Sequence, residues 1–301
     1  MKNLVSLILA AVLGSSGCSV KKEDKLIIGI IKPSLNHLPL EMAIDLNYLD
    51  KDCIVIKYFN SGWETNEALV SQNIDAAIMP FTYIWTDVSQ GKEVKIISFL
   101  ERESDGIITA PEIKSIADLD QKRIGLLRSS TLDLFWEIFA EDQKLEFIPC
   151  YFRTPMDMVA ALKTNNVDAL SFYIPSIFKI GTDYNIIHWY GNDYPSHPCC
   201  DLTANTNSLK NKPEQIKILL KALEKSSKAI GDNDETRQLI KKYFGLEDQL
   251  ITSSLQHIKF KTGFDENGKL IEHKVFQKML EKGYVKNHIS AEEVYYEIDK
   301  D

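Results

Sequence analysis

Two adjacent cysteines with a histidine nearby are the side chains of this sequence best suited to chemistry. They lie in the tetrapeptide His197-Pro198-Cys199-Cys200. Thiols and imidazoles bind soft metals, but a metal needs further ligands, and the chain has no Cys-x-x-Cys pair elsewhere. Adjacent residues of a strand also point to opposite faces of a sheet. We expect no metal and no cofactor, and interpret His197 and Cys199 as lining a ligand site. Metal or redox chemistry and the packing of small buried side chains are the alternatives.

Three consecutive hydroxyl side chains, Ser129, Ser130 and Thr131, lie between a predicted strand and a predicted helix. The free N–H groups at a helix start, together with hydroxyls, form a binding site for an anion or another polar group. The alternative is simple N-capping of the helix, which needs only one of the three residues. We treat all three as candidate ligand contacts.

Other polar and aromatic residues lie in loops that follow predicted strands, which is where ligands sit in open α/β sheets. Aromatic rings facing such a cleft suit a flat, partly apolar solute such as a pyrimidine. The alternatives are core packing for the aromatic residues and a surface position for the histidine. The candidate ligand contacts in these loops are Asn36, His37, Ser61, Gly62, Phe81, Thr82 and Tyr173.

Composition and motifs favour a binding protein. The 301 residues are 44% hydrophobic and 26% charged, as in an ordinary globular protein, and the formal net charge is −8. This charge and the lack of a long basic run argue against a nucleic-acid partner. The sequence contains no GxSxG, HExxH, GxxxxGK[ST] or GxGxxG motif. We therefore expect a protein that is not an enzyme.

The sequence contains an internal repeat. Residues 68–80 align without a gap with residues 161–173, and both copies keep Ala-Leu, then Asn, a β-branched residue, Asp and Ala. Each copy is typical of a helix end, a polar turn and a buried strand. We expect Asn73 and Asn166 to take the left-handed conformation at the helix ends. Repeated units indicate repeated architecture, here two similar lobes that face each other.

The rest of the chain alternates between strands and helices. Apolar runs of buried-strand type lie at residues 25–31, 54–59, 94–100, 123–127, 148–152, 185–189 and 200–205. We expect the last of these to pair back into the first lobe. Residues 213–244 follow a helical pattern, and residues 249–301 predict further helices around a turn at 263–268. The alternation predicts an α/β fold in two lobes.

The first residues have the three-part pattern of a secretory signal. A positive start, Met1-Lys2, precedes ten mostly apolar residues at positions 4–13, and small residues lead to Gly17-Cys18. The apolar run is too short to span a membrane. The Gly17-Cys18 junction resembles the lipobox of bacterial lipoproteins, in which the cysteine is lipidated. We expect residues 1–17 to be a signal peptide, Cys18 the lipidated residue, and residues 18–24 a tether. An ordinary cleaved signal and an uncleaved anchor are the alternatives.

The order of four local motifs resembles one family. They lie at residues 36–43, 67–76, 115–125 and 197–200. The chain is similar to the solute-binding proteins of ABC importers with a type 2 periplasmic-binding fold, and within them to the NMT1/THI5-like, sulfonate, nitrate and thiamine-precursor group. The resemblance covers residues 25–231.

The resemblance implies two lobes, each a mixed sheet flanked by helices, joined by two crossover strands that act as a hinge. The crossovers would fall at residues 103–108 and 199–203. Residues 25–104 and 202–301 would form lobe 1, and residues 105–201 lobe 2. The implied partners are a small-molecule solute, an ABC permease and, through the N-terminal lipid, a membrane, so the protein would be extracytoplasmic.

The function implied by the resemblance is capture of a small molecule between the lobes and its delivery to the permease. The solute would be a thiamine-pyrimidine precursor or an anion of the sulfonate or nitrate type. Two alternatives are an enzyme on the same fold, such as a pyrimidine synthase, and a ligand-sensing lipoprotein without transport. The secretory leader argues against the enzymes, which work in the cytosol.

Overall fold

The computed structural model describes residues 25–32 and 34–298, and the predicted signal peptide, Cys18 and the tether lie outside them. The described chain forms two β-sheets with helices packed on them. The strands are β1 (Leu26–Ile31), β2 (Ile54–Phe59), β3 (Ala76–Pro80), β4 (Val94–Arg102), β5 (Asp105–Thr109), β6 (Lys122–Leu127), β7 (Phe147–Phe152), β8 (Ala169–Tyr173), β9 (Asn185–Trp189), β10 (Cys200–Asn205) and β11 (Lys259–Gly263).

Helices of the described residues flank both sheets. None of them has the length and apolar character needed to cross a membrane. They are α1 (Leu38–Asp45), α2 (Gly62–Val70), α3 (Phe81–Ser89), α4 (Thr131–Gln143), α5 (Pro155–Lys163), α6 (Thr206–Asn211), α7 (Pro213–Ala229), α8 (Asp234–Phe244), α9 (Asp248–His257), α10 (Glu266–Glu281) and α11 (Ala291–Val294).

The two sheets have matching topology. The first has the strand order β11-β4-β10-β3-β1-β2 and the second β7-β6-β8-β5-β9. In each, three strands are parallel: β2, β1 and β3 in the first, β7, β6 and β8 in the second. An antiparallel strand follows, β10 in one and β5 in the other. We call the six-stranded sheet with its helices the first lobe and the five-stranded sheet with its helices the second lobe.

Within the described residues the chain crosses between the lobes twice, through two short links that lie side by side. One runs from β4 to β5 at Glu103-Ser104, and the other reaches β10 through His197-Pro198-Cys199. Two backbone hydrogen bonds join them, from Glu103 N to His197 O at 3.2 Å and from Cys199 N to Glu101 O at 3.3 Å. The predicted crossovers, 103–108 and 199–203, extend further than these links. Most of their residues pair within a single sheet, from Asp105 opposite Tyr173 and from Cys200 opposite Pro80.

The repeated segment has the same conformation in both lobes. Each copy is the end of a helix, a turn and a buried strand, α2 with β3 and α5 with β8. The left-handed residues are Gln72 (φ 61°) and Asn165 (φ 55°), one position before the predicted Asn73 and Asn166. The two predicted asparagines instead donate side-chain hydrogen bonds back to the helix ends, at 2.9 Å to Ser71 Oγ and 2.9 Å to Thr164 Oγ1.

The C-terminal part contains one element that was not predicted. The helical pattern at 213–244 is confirmed as two helices, α7 and α8, whereas the predicted all-helical tail contains the strand β11. This strand exists because it pairs antiparallel with the edge strand β4, a contact far away in the sequence. Helices α8 and α9 also bury Ile240 and Ile251 in one cluster with Leu38 of the first lobe and Leu162 and Ile177 of the second. They therefore pack on both lobes.

Candidate functional site

A cavity lies where the two lobes meet. It is bounded by the carboxyl ends of β1, β3, β6 and β8, as expected for open α/β sheets, and by both links between the lobes. It offers about 50 Å³ of space to the centres of water-sized molecules. Its lining comes from both lobes and consists of Ile31, Ser34, Asn36, Ser61, Gly62, Pro80, Tyr83, Ser104, Asp105, Leu127, Ser130, Thr131, Leu132, Pro155, Tyr173, Cys199 and Cys200.

The floor of the cavity is built by the two links. Asp105, at the start of β5, is completely buried. Its Oδ1 accepts hydrogen bonds from Ser104 Oγ at 3.3 Å and from Cys199 Sγ at 3.6 Å. In the first lobe, at the start of β10, Cys200 Sγ accepts from Asn36 Nδ2 at 3.1 Å. The carboxyl group of Asp105 is thus fixed at the bottom of the cavity.

Three possible metal-ligand atoms meet next to this floor, from Glu101, Cys199 and Cys200, all within 4.8 Å of one another. A metal would require thiolates. The hydrogen bond with Cys200 and burial raise the pKa of the Cys199 thiol well above its usual value, and burial raises the pKa of Cys200. Burial, together with the nearby Asp105 charge, raises the pKa of Glu101 to about 8. Without a metal all three groups favour their protonated forms at neutral pH, so a cation would have to displace these protons in order to bind.

The wall contributed by the first lobe begins at helix α2. The Ser61 hydroxyl accepts a hydrogen bond from Glu64 N at 3.2 Å and so caps the helix. At Gly62 a Cβ atom would lie 2.8 Å from the Tyr83 ring and 3.1 Å from Pro80, so only glycine lets that ring approach. Burial raises the pKa of the Tyr83 and Tyr173 phenols. Both therefore present neutral hydroxyl groups on aromatic rings to the cavity.

The wall contributed by the second lobe is the start of helix α4. Ser130 is the N-cap, and its hydroxyl accepts from Asp133 N and donates to Leu127 O. Thr131 is not needed for capping, and its hydroxyl donates instead to Cys199 O in the second link, at 3.2 Å. Of the three consecutive hydroxyl residues, Ser130 therefore caps helix α4, and Thr131 joins this helix to the link.

The structure brings together seven of the twelve residues predicted to contact a ligand. Those that line the cavity are Asn36, Ser61, Gly62, Ser130, Thr131, Tyr173 and Cys199.

The other five lie outside the lining. His37 is buried against the Phe244 ring at 5.0 Å, and burial lowers its pKa to about 3, so the ring is neutral. Phe81 and Thr82 are fully buried in the first turn of α3. Ser129 has a left-handed backbone (φ 60°), and its N–H is bonded to Asp133. The His197 ring lies behind the floor, 4.6 Å from the Phe135 ring and 3.6 Å from Asp105 Oδ2.

Tyr83 and Asp105 are among the lining residues that sequence analysis missed. Tyr83 is two residues beyond the predicted Phe81, and the helix turns Phe81 into the core and Tyr83 towards the cavity. Asp105 lies at a break between two apolar strands, and an acidic residue at such a break was the signal that could have identified it.

The chemistry of the site is that of a small, mostly uncharged pocket. Among the described residues of the lining, Asp105 is the only Asp or Glu, and there is no Lys, Arg or His. Two tyrosine rings, hydroxyls and an amide complete the polar surface. Such a lining suits a small, flat solute that donates hydrogen bonds to a carboxylate.

Comparison with known proteins supports this architecture. The ligand-binding component of an ABC-type import system from Staphylococcus aureus, solved with zinc bound, superposes with a TM-score of 0.81 at 16% identity, over 92% of this chain and 100% of that one. The periplasmic aliphatic sulphonate-binding protein SsuA from Escherichia coli gives 0.75 at 18%, over 92% and 94%. The periplasmic nitrate-binding protein NrtA from Synechocystis PCC 6803 gives 0.74 at 16%, over 90% and 86%.

At these identities the likeness establishes the fold, which is the two-lobed α/β fold of periplasmic binding proteins. No curated protein matches the sequence. The family model described as NMT1/THI5 like matches residues 34–236, well over half of the chain, and this range contains every residue that lines the cavity except Ile31. The chain therefore belongs to the NMT1/THI5-like family.

Proposed function

We propose that this protein is a membrane-tethered solute-binding lipoprotein of an ABC import system. It captures a small molecule between its lobes and delivers it unchanged to the permease. The observation that carries the proposal is a cavity lined by both lobes and by both links between them. A solute there contacts both lobes only when they are closed, so it shifts the open–closed equilibrium toward the closed form.

The proposed hinge is formed by the two links, and the proposed lobes comprise residues 25–104 with 202–301, and residues 105–201. Cys200 and Asp201 belong with the first of these, because β10 pairs with β3 from Cys200 onward. The short, adjacent links support rotation of one lobe against the other, since few backbone bonds would change.

For the solute we favour a heteroaromatic thiamine-pyrimidine precursor over a sulfonate or nitrate-type anion. Asp105 is a hydrogen-bond acceptor at the cavity floor, and it would repel an anion. Tyr83 and Tyr173 supply rings on which a flat molecule can stack. The sulfonate- and nitrate-binding relatives keep the anion as the second candidate.

A thermal-shift screen of the protein without residues 1–17 tests both candidates. The probes are an aminopyrimidine precursor of thiamine, methanesulfonate and nitrate. A solute at a free concentration of 100 times its Kd stabilises the folded state by roughly 2.7 kcal/mol and raises the melting temperature. Asp105→Asn should weaken binding of the aminopyrimidine and leave anion binding equal or stronger. A melting temperature raised only by the anions would reverse our choice of solute.

The same samples test the rival functions. Recovery of the bound probe unchanged after prolonged incubation is expected, and conversion of the probe would indicate an enzyme. Uptake of labelled solute by cells should depend on this protein. Uptake that persists without it, together with a ligand-dependent signalling response, would favour a sensing lipoprotein.

The tether is proposed on the leader sequence, through lipidation of Cys18. Cys18→Ala should move the protein from the membrane fraction to the soluble extracytoplasmic fraction. Membrane attachment unchanged by this substitution would refute the lipid anchor.

A further inference from the structure

A second and larger space adjoins the cavity on its solvent side, and we call it the outer chamber. It offers about 300 Å³ to the centres of water-sized molecules, whereas the cavity offers about 50 Å³. The two spaces have Ser61, Gly62, Tyr83 and Leu127 in common, so they are contiguous. The outer chamber is lined from the first lobe by Ser61, Gly62, Trp63 and Tyr83, and from the second by Leu127, Arg128, Phe152 and Arg153.

Two arginines give the outer chamber a positive charge that the cavity lacks. Arg128 and Arg153 directly follow the parallel strands β6 and β7. Leu127 lies opposite Phe152 in this pairing, so the two arginines leave the sheet side by side. An arginine side chain is always charged in proteins, and two like charges in one chamber repel each other. An anion bound between the arginines would remove this repulsion.

Neither of these arginines forms an ion pair with a carboxylate within the described part of the chain. The Arg128 guanidinium instead lies 5.3 Å from the centre of the Tyr151 ring. The chain has three further arginines, and each pairs with an Asp or a Glu: Arg102, Arg123 and Arg237. The two arginines of the outer chamber therefore differ from all the others in having no carboxylate partner.

The acidic residues at the neighbouring helix starts already have other hydrogen-bond donors. Glu64 of α2 and Asp133 of α4 accept from backbone N–H groups at 3.0 and 2.7 Å. Asp157 of α5 accepts from the Thr154 hydroxyl at 2.7 Å. These carboxylates stabilise the helix starts to which they belong, which leaves the guanidinium groups of the chamber available to a ligand.

We propose that the outer chamber binds an anionic group of the solute, and that this group is a phosphate monoester. The inference rests on the proposed function and specifies its solute. A flat ring donates hydrogen bonds to Asp105 in the cavity, and an arm with the phosphate reaches Arg128 and Arg153. Guanidinium groups bind phosphate oxygens in bidentate fashion, and two of them match the nearly two negative charges of a monoester.

The arrangement reconciles a carboxyl group with an anionic solute. Asp105 lies at the cavity floor and the arginines lie in the outer chamber, so the phosphate is kept away from the carboxyl group. The phosphate-bearing arm also lies between the lobes, with the arginines on one side and Ser61 and Trp63 on the other. Its binding therefore favours the closed form together with the ring.

Calorimetric titration with two matched probes tests the outer chamber. The probes are an aminopyrimidine that carries a hydroxymethyl group and the phosphate monoester of the same alcohol. The wild type should bind the ester about ten-fold more tightly than the alcohol, or better, because hydrogen bonds between charged groups are the stronger ones. In the double variant Arg128→Gln with Arg153→Gln this ratio should fall to about one, with the Kd of the alcohol unchanged. High salt should lower the ratio in the wild type.

The matched control removes two other exposed cations of the second lobe, Lys114 and Lys163. Both lie at the edge of the sheet where its parallel strands begin, Lys114 before β6 and Lys163 at the end of α5. The double variant Lys114→Gln with Lys163→Gln has the same net charge as the arginine variant and should keep the wild-type ratio. Replacing both arginines by lysine should restore only part of the ratio, because lysine keeps the charge without the bidentate geometry.

The outcomes separate this inference from the proposed function. If neither probe binds to the wild type, the proposed solute is wrong and this inference fails with it. If the alcohol binds and the ester binds no more tightly, only the assignment of the outer chamber is wrong. A ratio that the arginine variant retains would place the phosphate elsewhere. A ratio that falls equally in the arginine and the lysine-removal variants would indicate attraction by overall charge and would exclude a built site.

Discussion

Asp75 and Asp168 make the same backbone contact in the two lobes. Asp75 Oδ2 accepts from Ile27 N at 2.7 Å, and Asp168 Oδ2 accepts from Arg123 N at 2.8 Å. Ile27 and Arg123 are the second residues of β1 and β6, so each carboxylate fixes the start of the first parallel strand. Each also forms an ion pair at 2.7 Å, with Lys212 and with Arg123. The internal sequence repeat thus corresponds to the same structural contact in both lobes.

Asp75→Ala and Asp168→Ala should each reduce the free energy of unfolding by about 2 kcal/mol. Each substitution leaves a backbone N–H without its acceptor and removes an ion pair. Urea denaturation followed by circular dichroism measures the loss. Asp183→Ala, in an exposed turn, is the control and should change stability by less than about 0.5 kcal/mol. Equal losses of unfolding free energy in all three variants would show that the shared contact contributes no more to stability than an exposed side chain does.

The divided roles of the hydroxyl run give a second prediction. Ser130→Ala should lower the free energy of unfolding by about 1 kcal/mol, because it removes the cap of α4. Thr131→Val should instead weaken solute binding several-fold with a smaller loss of stability. It removes a cavity hydroxyl, while Cys199 O keeps its second donor, Phe81 N, at 3.2 Å. Denaturation and calorimetric titration of both variants separate the two effects. A Thr131→Val variant that loses stability but not affinity would contradict this division.

Ion pairs between α4 and the end of α10 join the two lobes and give a third prediction. Lys282 lies 2.9 Å from Glu137, and Lys278 pairs closely with Glu141. Replacing both glutamates by glutamine should favour the open form and raise the solute Kd by about two- to ten-fold, because each pair is partly screened by solvent and contributes only modestly. The effect should shrink at high salt.

X-ray scattering with and without solute measures the shift toward the open form. The double variant should have a larger radius of gyration than the wild type. Glu214→Gln is the matched control, because Glu214 pairs with Lys217 within α7. If this control changes Kd as much as the double variant, the ion pairs do not act on closure.

Glu101 gives a prediction on pH. Burial raises its pKa to about 8 in the folded protein, above the value near 4.5 of the free side chain. Between these two values the folded state binds more protons than the unfolded state, so this group makes stability fall as pH rises from about 4.5 to 8. Glu101→Gln should flatten that fall and stabilise the protein most at pH 8. Urea titrations between pH 5 and 8.5 measure how the free energy of unfolding falls with pH. If the variant shows the same fall as the wild type, Glu101 is not its cause.

Local features of the fold could be read from the sequence. The apolar runs predicted the ends of most strands to within one or two residues, because a buried strand needs a continuous apolar segment. N-capping by one of Ser129, Ser130 and Thr131 was one of two interpretations, and Ser130 is that cap, because capping depends only on the next three residues. Family resemblance added the two-lobed arrangement, which the topology of both sheets confirms.

What the tertiary structure decided depends on residues distant in the sequence. Strand β11 exists because β4 offers it an edge, and His37 and Phe81 are buried because α8 and the core cover them. Asp105 reaches the cavity floor only because two links, almost a hundred residues apart in the chain, lie side by side. A sequence determines which local conformations are favourable, whereas the lining of a cavity depends on which segments meet, and long-range packing alone fixes that.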